Sequence, residues 1–133
     1  MKDQNISQIC CQSFGSVLFR SNGDILVFEM NNKCQLGMNT KGKNISQPTL
    51  LINDKEIHRI QCGGNFTLIE KSKDVFLLAG KLSTISRSRE FWLIEKPKQI
   101  LMEHKIKQIA CGLNFILFLK QNGDLWFLFS NTF

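Results

Sequence analysis

The residues in this 133-residue sequence with the chemistry to ligate metal or attack a substrate are few: five cysteines and two histidines. The cysteines are Cys10, Cys11, Cys34, Cys62 and Cys111, and no C-x-x-C pair occurs. A zinc site needs four ligands at close spacing, and neither His58 nor His104 stands near a cysteine pair at finger spacing. The cysteine count is odd, and Met1–Asn5 leads into no apolar stretch of signal-peptide length. Disulfides belong to oxidising compartments, so the expectation is reduced thiols, mostly buried as small hydrophobes. The sequons at Asn5, Asn44 and Asn65 then carry no consequence. No Ser/His/Asp arrangement has motif context and no phosphate-cradling G-x-x-x-x-G-K occurs. The reading is therefore no catalytic residues, no cofactor, no metal, and no enzyme.

Charge is the second resource. Seventeen Lys and Arg against 11 Asp and Glu give +6. That balance suits acidic partners such as nucleic acid or acidic protein tails. The same lysines, spread along the chain as Lys41/Lys43, Lys96/Lys98 and Lys105/Lys107, also suit solubility and protection of sheet edges. One segment concentrates a more specific signal. Lys81, Arg87 and Arg89 lead into Trp92, and Trp with Arg is the composition of an interface anchor. Lys81, Arg87, Arg89 and Trp92 are the candidate partner contacts. Two readings of Trp92 stay open, an exposed anchor or a side chain buried within the strand Phe91–Ile94. Trp126, inside an apolar run, is expected in the core.

Three segments of the chain repeat, and they must position these residues. Ile6-Ser-Gln-Ile9-Cys10-Cys11 recurs as Ile57-His-Arg-Ile60-Gln61-Cys62 and as Ile106-Lys-Gln-Ile109-Ala110-Cys111. Asn22-Gly23-Asp24 recurs as Ser72-Lys73-Asp74 and Asn122-Gly123-Asp124, at steps of 50. Asn65-Phe66 recurs as Asn114-Phe115, and Pro48-x-x-Leu51 as Pro97-x-x-Ile100. The apolar runs are four to five residues long and rich in Ile, Val and Phe, which is strand length. None approaches the ~20 residues of a membrane helix. Apolar runs on either side of Asn-Gly read as hairpins. The runs barely alternate, so both faces of each sheet should be buried. Pro48 and Pro97 should open outer strands, where a missing N–H is harmless. The aspartates at the turns are expected to hydrogen-bond their own backbone, and the register cysteines to pack. A ~50-residue period of small antiparallel sheets is the pattern of propeller blades.

The expected fold is all-β, with antiparallel sheets as blades of a partial propeller of about two and a half blades. It forms a single repeat domain over 1–133, with repeats at approximately 6–56, 57–105 and 106–133, the last incomplete. The repeat resembles the regulator of chromosome condensation repeat. That family's blade reads roughly Ile-x-x-Ile-x-Cys-Gly-x-x-His, Leu-x-x-Asp-Gly, Trp-Gly-x-Asn-x-x-Gly-Gln-Leu-Gly, then Pro-x-x-Val. Here Phe28-Glu29-Met30-Asn31-Asn32-Lys33-Cys34-Gln35-Leu36-Gly37 matches at Asn31, Gln35, Leu36 and Gly37, and Pro48 follows. Departures are plain. The Trp-Gly pair reads Phe28-Glu29, Leu78-Ala79 and Leu128-Phe129, and the first Cys-Gly-x-x-His carries Gln12 and Gly15. The His position is Phe66 in the second repeat and Phe115 in the third.

The resemblance implies a non-catalytic protein-interaction module. Two alternatives go with it: a guanine-nucleotide exchange factor, or a fragment of one, for a small Ran-like GTPase, and chromatin or nucleic-acid binding through basic loops. It implies a protein partner. The short apolar runs and the N-terminus without a signal-peptide stretch give the expectation of no membrane and an intracellular location, cytoplasmic or nuclear. Full propellers of this family close with about seven blades, and stacked repeats with open ends expose apolar surface and strand edges. Three outcomes are expected of such ends: self-association through the open blade edges, pairing with another chain, or an open arc of marginal stability.

Overall fold

A computed structural model describes residues 2–13, 15–29, 31, 36, 38, 43–71, 75–83, 91–101 and 105–129; for 82–83, 91–96, 101 and 129 it describes the backbone alone. Each Ile-x-x-Ile segment forms the first strand of a sheet, and each hairpin adds the next two. The first sheet runs β1 (Ile6–Cys11), β2 (Gly15–Arg20), β3 (Asp24–Glu29) and β4 (Ile45–Asn53). The second runs β5 (Ile57–Cys62), β6 (Phe66–Lys71), β7 (Val75–Ser83) and β8 (Phe91–Leu101). The third holds β9 (Ile106–Cys111), β10 (Phe115–Lys120) and β11 (Leu125–Phe129). All neighbours pair antiparallel in chain order.

Apolar residues fill both sides of the middle sheet, which is why the runs do not alternate. Ile69 and Leu77 face the first sheet, in a core with Val17, Phe19, Ile25, Val27 and Leu36. Phe66, Leu68, Phe76 and Leu78, on the opposite side, join Ile109, Ile116 and Phe118 of the third sheet. The rings of Phe76 and Phe118 meet edge-on, centroids 5.5 Å apart. Full burial of each such side chain contributes about 1.5–3 kcal/mol.

Strand pairing sets the true repeat register. The hairpins pair Phe19 with Ile25, Glu70 with Phe76 and Leu119 with Leu125, so steps of 51 and 49 residues carry through the turns. That register puts Val75, not Asp74, in line with Asp24 and Asp124; Asp74 itself lies outside the described residues. The outer two turns close by the Asn rather than the expected Asp side chain: Asn22 Oδ1 accepts from the Asp24 N–H at 3.1 Å and Asn122 Oδ1 from the Asp124 N–H at 3.0 Å, while the Asp carboxylates accept from side chains, Asn22 Nδ2 on Asp24 and Asn122 Nδ2 on Asp124. The same register corrects the second Trp-Gly position. It is Ala79-Gly80, since Phe66 pairs with Gly80 as Gly15 pairs with Glu29. Gly80 has φ +104° and Glu29 has φ +82°. The second repeat thus keeps the glycine, and the first puts a strained Glu in its place.

The prolines stand inside the outer strands rather than at their starts. Pro48 and Pro97 fall where pairing is irregular, between Ile45 and Thr49 and between Ile94 and Lys98. A residue without an N–H costs no ladder bond at such a place. Asn31, matched by the motif, is buried; it accepts from the Leu36 N–H at 3.0 Å and donates to the Met38 carbonyl at 2.5 Å, which seats Leu36 in the core.

A charge pair closes each of the first two blades. Arg20 meets Asp3 at 2.6 Å and Lys71 meets Asp54 at 2.6 Å, both at the start of the hairpin. The Asn5 N–H and Arg20 hold Asp3 below the usual carboxylate value, and Lys71 and the Glu56 N–H do the same for Asp54.

Replacing Glu29 by Gly relieves the left-handed strain and is expected to stabilise the chain by about 1 kcal/mol, read as a higher urea midpoint. The lowered carboxylates stabilise the fold above their unfolded value and lose that contribution as pH falls through the lower folded value. Stability should therefore drop below about pH 4, and Asp54→Asn should lower stability at neutral pH and flatten that drop, seen in urea titrations across pH.

Candidate interaction face

The candidate contacts gather only in part. Lys81 lies near the end of β7, its N–H donating to the Asn65 carbonyl at 2.6 Å. Lys81 pairs with Leu93, and Leu82 with Trp92, so the backbones of Lys81 and Trp92 are diagonal neighbours at one end of the β7–β8 pair. Arg87 and Arg89 lie outside the described residues, as does the Trp92 side chain. Among the described residues no group of three His, Cys, Asp or Glu side chains could hold a metal, and no helix is long and apolar enough to cross a membrane.

A second surface emerges from comparing equivalent residues. The row Val17, Ile25 and Val27 is wholly buried against the second sheet. Its equivalents Leu68, Phe76 and Leu78 are buried against the third. The next row is Leu117, Leu125 and Phe127, and there Leu125 is 50% and Phe127 41% exposed. Leu113, in the turn after β9, is 62% exposed. That turn ends a ladder of hydrogen bonds between blades: the Ser13 N–H donates to the Gly64 carbonyl and the Gly64 N–H to the Leu113 carbonyl, both at 3.0 Å. The far side of the third sheet therefore carries the residues that elsewhere receive the following blade. At the other end of the stack Ile9 is 70% exposed, whereas its equivalents Ile60 and Ile109 are 6% and 7% exposed.

Trp126 is not in the core, contrary to expectation. It is 48% exposed, with the Lys120 ammonium 5.4 Å from its ring centre. Its equivalents Leu26 and Leu77 are 6% and 8% exposed and lie on strands flanked by a fourth, β4 and β8; β11 has no such neighbour among the described residues. A hydropathy run cannot report this, because it records apolar character and not whether a fourth strand is present.

The cysteines depart from expectation as well. Cys10 and Cys62 form a disulfide between the first and second sheets, their Cα atoms 5.9 Å apart. They stand on facing sides of two stacked sheets, a contact that a sequence separation of 52 does not reveal. Cys11 is exposed rather than packed, and Cys111 is free and largely buried; burial pushes its thiol up to about 12. Cys34 lies outside the described residues.

No protein-family model matches the chain. Among curated proteins it is 27% identical to the human X-linked retinitis pigmentosa GTPase regulator, over 93% of this chain and 13% of that protein. Among solved structures, human WBSCR16 superposes with a TM-score of 0.75 at 19% identity. Yeast RCC1 (Prp20), solved bound to Kap60, superposes with a TM-score of 0.73 at 19% identity. Prp20p from Saccharomyces cerevisiae, described with its binding to Gsp1p and histones, gives 0.72 at 18%. Each structural match covers 96% of this chain but only 30–34% of the solved chain. This chain has the fold of RCC1-like propeller blades and spans about a third of those propellers.

With Trp92→Phe leaving Trp126 as the sole tryptophan, emission should be red-shifted and strongly quenched by acrylamide. Blue-shifted, protected emission would place Trp126 in the core after all.

Proposed function

We propose that this chain, a stack of RCC1-like propeller blades, is a non-catalytic protein-interaction module whose docking face is the far side of its third sheet. The observation that carries the reading is the half-exposed Leu125 in a row whose equivalents Ile25 and Phe76 are fully buried by the next blade. The occupant that fits is another antiparallel sheet offering an Ile/Leu/Phe face, as the second sheet offers Ile60, Ile69 and Leu77 to the first. For the isolated chain that occupant is a second copy. Apolar sheet faces of this kind associate by burial, at about 25 cal/mol per Å² of apolar surface, whereas a monomer would leave the patch wet.

Protein partners accord with the yeast neighbours, solved with Kap60 or described with Gsp1p and histones. Lys81, Arg87, Arg89 and Trp92 are proposed as a second contact. Nucleic-acid binding ranks below protein binding, because Arg20, Arg59 and Lys71 are each already paired with a carboxylate. Exchange on a Ran-like GTPase ranks below it too, since the chain spans only 30–31% of the Prp20 propellers.

Light scattering on the purified chain should show mass rising with concentration. Leu125→Glu should return it to the monomer mass with unchanged β-rich circular dichroism. A wild-type chain that stays monomeric across the concentration range would remove the docking face.

A further inference from the structure

The strand pairings make Cys10, Gln61 and Ala110 equivalent, opposite Val17, Leu68 and Leu117. They make Cys11, Cys62 and Cys111 equivalent, opposite Ser16, Thr67 and Ile116. Two successive interfaces therefore bring the same two positions together. Between the first and second sheets these are Cys10 and Cys62, joined covalently. Between the second and third they are Gln61 and Cys111, where the Cys111 thiol donates to the Gln61 side-chain oxygen at 3.5 Å. The second interface is thus assembled at this spot by a thiol–amide contact, with no covalent bond.

We propose that Cys10 and Cys62 form a reversible thiol–disulfide clasp between the first two blades, made and broken by exchange with a small disulfide of the glutathione class. The first interface holds without it. Val17, Phe19, Ile25 and Val27 pack on Ile57, Ile60, Ile69 and Leu77. Polar contacts span the same junction: the Ile60 N–H donates to Gln8 Oε1 at 2.9 Å, and Gln12 Nε2 donates to Thr67 Oγ1 at 2.6 Å. The bond is an added link on a complete interface, so breaking it loosens the blade pair and leaves the fold in place. Both cysteines are only half-buried, open to an attacking thiolate.

The chemistry balances as ordinary exchange. One cysteine thiolate of the pair attacks glutathione disulfide, breaking its S–S bond, forming a mixed disulfide and releasing one glutathione thiolate. The second cysteine thiolate attacks the protein-side sulfur, forming the Cys10–Cys62 bond and expelling the second glutathione thiolate. Two electrons pass to glutathione, and the two protons leaving the cysteines end on its two thiolates. Reduced glutathione reverses each step. Neither neighbouring thiol competes for the protein disulfide. Cys11, next in sequence to Cys10, points to the other side of β1 by strand alternation, and Cys111 is occupied at Gln61.

The test is equilibration of the full chain in glutathione buffers from fully reduced to fully oxidised, quenched by alkylation and mapped by mass spectrometry. Cys11, exposed, should be found alkylated in reducing buffer and glutathionylated in oxidising buffer, never linked to Cys10 or Cys62, and serves as the control. Cys10 and Cys62 should lose label together as the buffer becomes oxidising and regain it on reduction. The oxidised chain should resist urea better, its unfolding constant lower by roughly a hundred-fold. The reduced chain should keep its circular dichroism. Cys10→Gln, which rebuilds the Gln–Cys pair of the next interface, should fold and match the reduced wild type in urea. Cys10 and Cys62 remaining fully alkylated in oxidised glutathione would overturn the clasp. So would an unfolded reduced chain together with an unfolded Cys10→Gln variant, since the bond would then be an obligatory staple.

Discussion

Every sheet here is wanted from both sides, and the structure answers to that constraint. A two-layer sandwich needs one apolar face per sheet. A stack of blades needs two, so Ile69 and Leu77 must serve one neighbour while Phe66, Leu68, Phe76 and Leu78 serve the other. The demand recurs at each level and makes the ends of the stack different from its middle. It also sets how close the sheets come. Near the blade turns backbone meets backbone, and a Cβ on Gly63 would fall 2.7 Å from the Gly112 carbonyl and 2.0 Å from the Phe66 ring. The first blade solves the same turn by exchange. Gln12 stands at the glycine position and Gly15 at the phenylalanine position, with the turn hydrogen bond from Gln12 N–H to Gly15 carbonyl preserved at 2.8 Å. The bulky group has moved three residues along, and the Gln12 amide donates across the interface to Thr67.

That exchange marks what a single sequence can and cannot reveal. The repeat is legible because apolar runs and turn residues recur in one register, and the register fixes strand order in antiparallel meanders. Gln12 and Gly15 look like two separate losses from the family pattern, and only their proximity shows that each compensates for the other. Asp74 and Ala79 are misaligned by one residue for a related reason. Sequence alignment at the second hairpin favours matching letters, whereas the ladder of Glu70 with Phe76 fixes the register. The Cys10–Cys62 pair was illegible because it joins positions that are not equivalent in the repeat. Internal similarity aligns each position with its own copy, and so points away from contacts between one position and a different one in the next blade.

Electrostatics follow the same economy. A net charge of +6 suggests a basic surface, but the cations at the first two hairpins are committed. Arg20 bridges Asp3 and Asp24, and Lys71 bridges Asp54 and Glu56. Asp3 and Asp54 are one repeat apart in the pairing register, so the pair belongs to the blade and ties the chain entering the first strand to the second strand. Lys120 holds the equivalent cation position in the third sheet and lies over Trp126 instead. These exposed pairs contribute little stability each. Their physical effect is to orient the entry to each blade and to withdraw basic groups from the surface that an anion would meet.

The polar positions at the interfaces vary far more than the apolar rows do. One position pair is Cys–Cys at one junction and Gln–Cys at the next; one turn is Gln-x-x-Gly in the first blade and Gly-x-x-Phe in the other two; one left-handed position is Glu29 and then Gly80. The row that receives the following blade, by contrast, changes only among Val, Ile, Leu and Phe: Val17, Ile25 and Val27, then Leu68, Phe76 and Leu78, then Leu117, Leu125 and Phe127. This division follows from magnitude. Burial along a row is a sum over many contacts and tolerates shape changes as long as volume is kept, whereas each polar contact is a local solution worth about 1 kcal/mol and can be replaced by another local solution without moving the sheets. A blade interface built this way accepts any sheet with a matching apolar row, and its polar rim is then free to set which sheet it keeps. The half-exposed Leu125 and Phe127 offer such a row on the far side of the third sheet.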